Sequence, residues 1–160
     1  MLKTYSAEHP YKLSFHYPAS WVVDTRAARA PDELYLNVST QFRGIRSGSV
    51  QVHAWPTDDK RRNEVNLLTG YADLMRGTGI DLKVAPVQLL DVKPPFESMA
   101  LCQISGTIKG QPLDLTTVVM RTGRMWVLVG NVGPARSAGD WWAITRKTFE
   151  YIQQSLRVGG

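Results

Sequence analysis

The chain has 160 residues, 43% apolar and 21% charged, with 19 basic and 14 acidic side chains and a net charge of +5. That length supports one domain with a real core and is short for two. The balance of apolar to charged residues excludes a globally disordered chain, and a surplus this small does not by itself mark a nucleic-acid binder.

The first expected element is a strand over residues 12–17, where Leu13, Phe15 and Tyr17 alternate with Ser14 and His16. Pro18 lacks a backbone donor and fixes a turn. Trp21, Val22 and Val23 then open a second strand, so the reading is a hairpin reversed at Pro18, with the Trp21 ring plugged into the core. The polar segment TRAARAPDE is a loop. Leu34, Leu36 and Val38 alternate in a third strand over 33–40. Gly44 and Gly48 turn the chain within 41–49, and a fourth strand, Val50–Trp55, ends at Pro56.

A helix is predicted next. Thr57 or Asp58 can cap it, and Val65, Leu68, Ala72 and Met75 recur at helical spacing, widened by Leu67, Tyr71 and Leu74. Gly77 and Gly79 end it. Residues 82–92 read as a strand, followed by a bend at Pro94-Pro95-Phe96. Three long strands follow, Met99–Ile108, Leu113–Arg121 and Met125–Val132, linked by Lys109-Gly110 and Thr122-Gly123-Arg124. Such short glycine-bearing links make antiparallel neighbours. Val118-Val119-Met120 and Trp126–Val129 are apolar on both faces, which requires a sheet covered on both sides. Ser137 and Asp140 approximate a capping box. The helix behind them carries one stripe: Trp141 or Trp142, Thr145, Phe149, Ile152 and Leu156. The fold expected is therefore a single α+β domain over residues 1–160, one antiparallel β-sheet covered by helices in an α/β/α-type sandwich.

Catalytic chemistry has little foothold. The three histidines, His9, His16 and His53, lack helical pair spacing. His16 and His53 could meet only across strands, and no metal is expected. The stretch Gly44–Ser49 is not a Gly-x-Ser-x-Gly elbow, and no phosphate-binding glycine loop is present. The expectation is no cofactor and no catalytic residue. Cys102, the one cysteine, lies in the apolar run Met-Ala-Leu-Cys-Gln-Ile and reads as a buried structural thiol. Lys60-Arg61-Arg62 is flanked by Asp58, Asp59 and Glu64 and has no aromatic neighbours, so a nucleic-acid partner is not expected. Protein binding has more support. Trp141 and Trp142 diverge by ~100° on a helix, which lets one reach the surface as an anchor. Phe96 offers an apolar bump, and Arg136 sits before a helix N-terminus, where an anion can dock. These four are the expected partner-binding residues.

The opening segment Phe15-His16-Tyr17-Pro18-Ala19-Ser20-Trp21, the meander Ser105–Val132 and the closing helix Phe149–Leu156 together resemble the PsbP-like group. That group includes photosystem II PsbP, its bacterial relatives, the DcrB-like proteins and a yeast Ran-binding import factor. The resemblance covers most of the chain and implies an assembly factor, adaptor or chaperone; the DcrB-like members are similar to adaptors that load type VI secretion effectors. The expectation is a non-enzymatic protein-binding module with an unidentified protein partner. Its alternatives are a small-molecule binder or small enzyme near the His-bearing strands, or an envelope lipoprotein. No run approaches the ~20 apolar residues of a membrane span, and the N-terminus lacks an apolar signal core. A cytoplasmic protein is therefore expected, or an envelope protein if a signal has been removed. Open sheet edges would permit a homodimer.

Overall fold

The strands run in chain order as β1 (Leu2–Ala7), β2 (Leu13–Pro18), β3 (Val22–Asp24), β4 (Leu34–Phe42), β5 (Ile45–Pro56), β6 (Asp81–Val84), β7 (Gln88–Leu90), β8 (Ser98–Ile108), β9 (Gln111–Arg121), β10 (Met125–Pro134) and β11 (Arg157–Val158). A long helix, α1 (Asp140–Ser155), precedes β11. This computed structural model describes residues 1–25, 31–42, 45–57, 67–69, 73, 81–108, 110–134 and 140–159.

The expected single sheet is two sheets. A three-stranded sheet has the order β1-β2-β11; an eight-stranded sheet has the order β3-β4-β5-β10-β9-β8-β6, with β7 also paired to β8. The difference arises at Pro18. β2 pairs back onto β1, with Phe15 opposite Tyr5, and makes no ladder with the segment after the turn. The Trp21 N–H donates to the Pro18 carbonyl at 3.0 Å, closing the turn. That turn hands the chain from the small sheet to the large one, where β3 pairs with β4. The expected first hairpin is therefore a crossover between sheets. Trp21 stands just before β3 and is buried, as expected.

The meander β8-β9-β10 is the spine of the large sheet, and each neighbour is antiparallel. Gly110 turns the first link in the left-handed region, φ +77°, which glycine adopts without a Cβ clash. In the second link the Met125 N–H donates to Thr122 Oγ1 at 3.1 Å, and the Thr122 N–H to the Met125 carbonyl at 2.9 Å. β5 begins at Ile45, so part of the expected glycine loop at 41–49 is strand. The single strand expected over 82–92 is divided into β6 and β7 around Pro86, and both pair with β8.

Both faces of the large sheet are covered, as the two-sided apolar strands required. One core joins Leu13 and Phe15 of β2, Val38, Val52, Val118, Met120 and Val127 of the large sheet, and Phe149 and Ile152 of α1. The small sheet and α1 together make this layer. The other core, on the opposite face, joins Ala100, Cys102, Leu115, Val119, Trp126 and Leu128 with Leu68. Leu68 lies in a helical segment of which residues 67–69 and 73 are described; the rest of the predicted helix over 58–76 falls outside the described residues. Among the described residues of α1 the buried ones are Thr145, Thr148, Phe149 and Ile152, with Leu156 just beyond; the predicted stripe holds from Thr145 onward with Thr148 added, while Trp142 is half-buried.

Candidate functional site

Helix α1 packs on β2, β5 and β10. Its seat is cut by two glycines. A Cβ at Gly48 would lie 2.8 Å from Thr145 Cγ2, and one at Gly133 would lie 3.0 Å from the same atom. Both are inside van der Waals contact, so the helix can sit this low only because both positions are glycine. With α1 held there, the neighbouring part of the sheet floor beside it is left open.

That floor and the helix flank form a groove of about 670 Å³, within the ~300–1,000 Å³ of ligand sites. Two cross-strand rows make the floor: Lys83–Ser105–Asp114 on β6, β8 and β9, and Gln103–Thr116 on β8 and β9. Trp142, Arg146 and Glu150 line the helix wall, four residues apart and so on one flank. Lys83, Gln103, Ser105 and Glu150 are exposed, Asp114 and Trp142 are half-buried, and Thr116 is buried. Arg146 ties wall to floor. Its Nη1 donates to Thr116 Oγ1 at 2.6 Å, its Nε lies 3.5 Å from Glu150 Oε1, and its guanidinium stands 5.5 Å from the Phe149 ring centroid. The groove thus carries an aromatic surface, two cations and two anions.

A second constellation lies on the opposite face. His53 Nε2 is 3.6 Å from Glu33 Oε2. Its ring packs between Tyr35 and Trp55, with centroids at 5.2 Å and 4.7 Å. On the same face Asn37, Gln51, Gly130 and Thr117 make one cross-strand row. Among the described residues, Asn37 Oδ1 and Thr117 Oγ1 in that row are buried without a hydrogen-bond partner.

Of the expected partner-binding residues, Trp142 lines the groove. Trp141 is in α1, and its side chain lies outside the described set, as does Arg136 altogether. Phe96 is half-buried against the core shared by the small sheet and α1, so it packs inward more than it protrudes. His16 and His53 lie in different sheets and do not meet. His16 Nδ1 is 2.9 Å from Thr4 Oγ1, and its backbone N–H donates to Ser155 Oγ. Cys102 is buried, and desolvation raises its thiol pKa. Among the described residues no group of three or more His, Cys, Asp or Glu could hold a metal ion, and no helix is long and apolar enough to cross a membrane. Sequence reading missed Lys83, Gln103, Ser105, Asp114, Thr116, Arg146 and Glu150. Their strand members alternate with core residues and read as a solvated face.

No protein-family model matches the sequence. No curated protein matches it significantly. Solved structures do. The solution structure of cyanobacterial PsbP (CyanoP) from Synechocystis sp. PCC 6803 superposes with a TM-score of 0.65 at 12% identity, over 99% of this chain and 92% of that one. LpqN of Mycobacterium tuberculosis, described as involved in cell envelope biogenesis, superposes with a TM-score of 0.59 at 13% identity, again over 99% and 92%. At such identities the likeness speaks for architecture: the chain carries the PsbP-like fold that its Tyr-Pro-x-x-Trp turn and glycine-linked meander resemble.

Proposed function

We propose that this chain is a non-enzymatic protein-binding module, an assembly factor, adaptor or chaperone, and that it holds a segment of its partner in the groove beside α1. The observation that carries the reading is the groove's composition. An indole, two cations and two anions line a trough beside a sheet edge. Peptide segments need that mixture, an apolar anchor plus polar groups that fix orientation. Leu89 and Leu90 on β7, at the same edge, are exposed at 73% and 37%, which adds apolar surface outside the groove. LpqN's described role in envelope biogenesis favours an envelope-associated setting as much as the expected cytoplasmic one. Neither the groove nor the structural neighbours point to type VI secretion effectors as cargo.

The test is capture of a partner by the wild-type chain, followed by titration of that purified partner against wild type and Trp142→Ala, with folding checked by circular dichroism. Loss of at least tenfold in affinity supports the reading. A partner bound equally by a folded Trp142→Ala variant overturns it.

A second reading rests on the opposite face, where His53, paired with Glu33, packs its ring against Tyr35 and Trp55, and where Asn37 Oδ1 and Thr117 Oγ1 are buried without a partner among the described residues. A small polar ligand could use those groups. Ligand-observed NMR with a library of small hydroxylated and amide compounds, repeated on His53→Gln, separates this reading from the first. The open edges would also serve a second copy of the chain, at β3, where Val22 is 65% exposed, or at β7. Sedimentation at two concentrations reads that out directly.

A further inference from the structure

The charges of the groove are unequally spent. Arg146 is engaged by Thr116 and Glu150. Lys83 is exposed on the groove floor. Asp114 is different: it is half-buried, and it makes no hydrogen bond or ion pair with its side chain among the described residues. Lys83 is in the same cross-strand row but two strands away, about 10 Å at ordinary strand spacing, and the two do not pair.

The register of α1 says what stands above Asp114. Gly133 is the partner of Asp114 on β10, and Thr145 sits against Gly133. Arg146 bonds Thr116, two residues along β9. The residue one helical turn before both, on the same flank, is Trp142, which lines the groove with Asp114. One end of the groove therefore combines a half-buried carboxylate with an indole; Arg146, bonded to Thr116, stands midway along the wall, and Glu150 closes the other end. A carboxylate with unspent acceptors next to an aromatic ring selects a cation, by charge-assisted hydrogen bonding and by the ring's quadrupole. A partner carboxylate at that end would meet Asp114 as a like charge. From Trp142 to Glu150 the wall is about 12 Å long, room for about three to four residues of extended chain.

Resting on the groove as the partner-binding site, we propose that it takes an extended peptide segment of the partner with a lysine or arginine seated between Asp114 and Trp142. The chain as a whole carries +5, so the basic side chain is drawn by this local site and not by the protein's overall field.

The test is selection of a random capped hexapeptide library on immobilised wild type, Asp114→Asn and Trp142→Ala, followed by titration of one enriched peptide and its counterpart with norleucine in place of the basic residue. The expected result is enrichment of Lys or Arg at one position on wild type, with at least tenfold weaker binding for the norleucine peptide and for Asp114→Asn. Peptides that lose binding on Trp142→Ala but show no basic preference would sink the cation assignment and leave the groove reading standing. Peptides indifferent to both substitutions, or no enrichment at all, would overturn both. Basic enrichment that persists unchanged on Asp114→Asn would place the cation elsewhere and also overturn the assignment.

Discussion

The Thr145 side chain of α1 occupies the space in which a side chain at Gly48 of β5 would have to sit: a Cβ there would be 2.8 Å from Thr145 Cγ2 and closer still to Oγ1. Those atoms are buried on both sides, so neither can swing into solvent. Gly48→Ala should therefore cost about 1–3 kcal/mol, the range for overpacking a filled core. Thr145→Ala removes the two nearest atoms and leaves Cβ at 3.1 Å. The double variant should consequently be destabilised by less than the sum of the singles. Urea unfolding of the four proteins in the cycle measures this coupling; strict additivity would mean that α1 shifts freely on the sheet.

Trp21 and Val22 are neighbours with opposite fates. Trp21 is 5% exposed and belongs to the core shared with α1, whereas Val22 is 65% exposed. Trp21→Ala should lose ~3–5 kcal/mol, a large part of the ~5–15 kcal/mol that holds a domain together. Val22→Ala should stay within about 0.5 kcal/mol. Paired chemical denaturation curves check both, and a Trp21→Ala loss below about 1 kcal/mol would deny the ring its place in the core.

The elements that the sequence made legible are those with a face to bury. The β9 run Val118-Val119-Met120 announces a sheet covered on both sides because successive side chains alternate between two cores. The α1 stripe is readable for the same reason at helical spacing. β1 was not legible: it is an edge strand, exposed at Leu2, Lys3 and Thr4, and only Tyr5 and Ala7 turn inward. Missing it made the Pro18 turn look like a hairpin and hid the second sheet. The adjacent Trp141 and Trp142 were legible as a pair of which one could reach the surface, and Trp142 is half-buried beside the groove. The groove itself was not legible, since Lys83, Ser105 and Asp114 are brought together only by the pairing of β6, β8 and β9. No short-range pattern encodes that register.

Arg146 is a structural tie as well as a groove residue. Its guanidinium satisfies the Thr116 hydroxyl, and Thr116 is 4% exposed. Arg146→Met keeps the stem but strands that hydroxyl, which should cost about 1–3 kcal/mol. Glu150, with a side chain 50% exposed, contributes a pair on the helix surface, and Glu150→Gln should change stability by less than about 0.5 kcal/mol. Thermal unfolding of both variants distinguishes the tie to Thr116 from the helix-surface pair. Equal effects would mean that the bond to Thr116 adds nothing beyond that pair.

Burial raises the Cys102 thiol above its ordinary pKa, and it raises the Tyr5 phenol likewise. The folded chain thus holds these protons more tightly than the unfolded one. Their full contribution is present below the ordinary thiol and phenol values. As pH rises past the ordinary thiol range, the unfolded chain ionises first, binds fewer protons than the native state and gains population, so stability falls with pH. The loss should begin in the thiol range and continue in the phenol range. Cys102→Ala should flatten the first part of the slope and Tyr5→Phe the second, whatever each does to stability at neutral pH. Because only the thiolate reacts with disulfide reagents, native Cys102 should also be modified at a rate set by opening of the β8 core, and urea should accelerate it. Rapid stoichiometric modification of the folded protein at pH 8, or a pH slope unchanged in Cys102→Ala, would show that the thiol is not held in the buried cluster it shares with Val119 and Leu115.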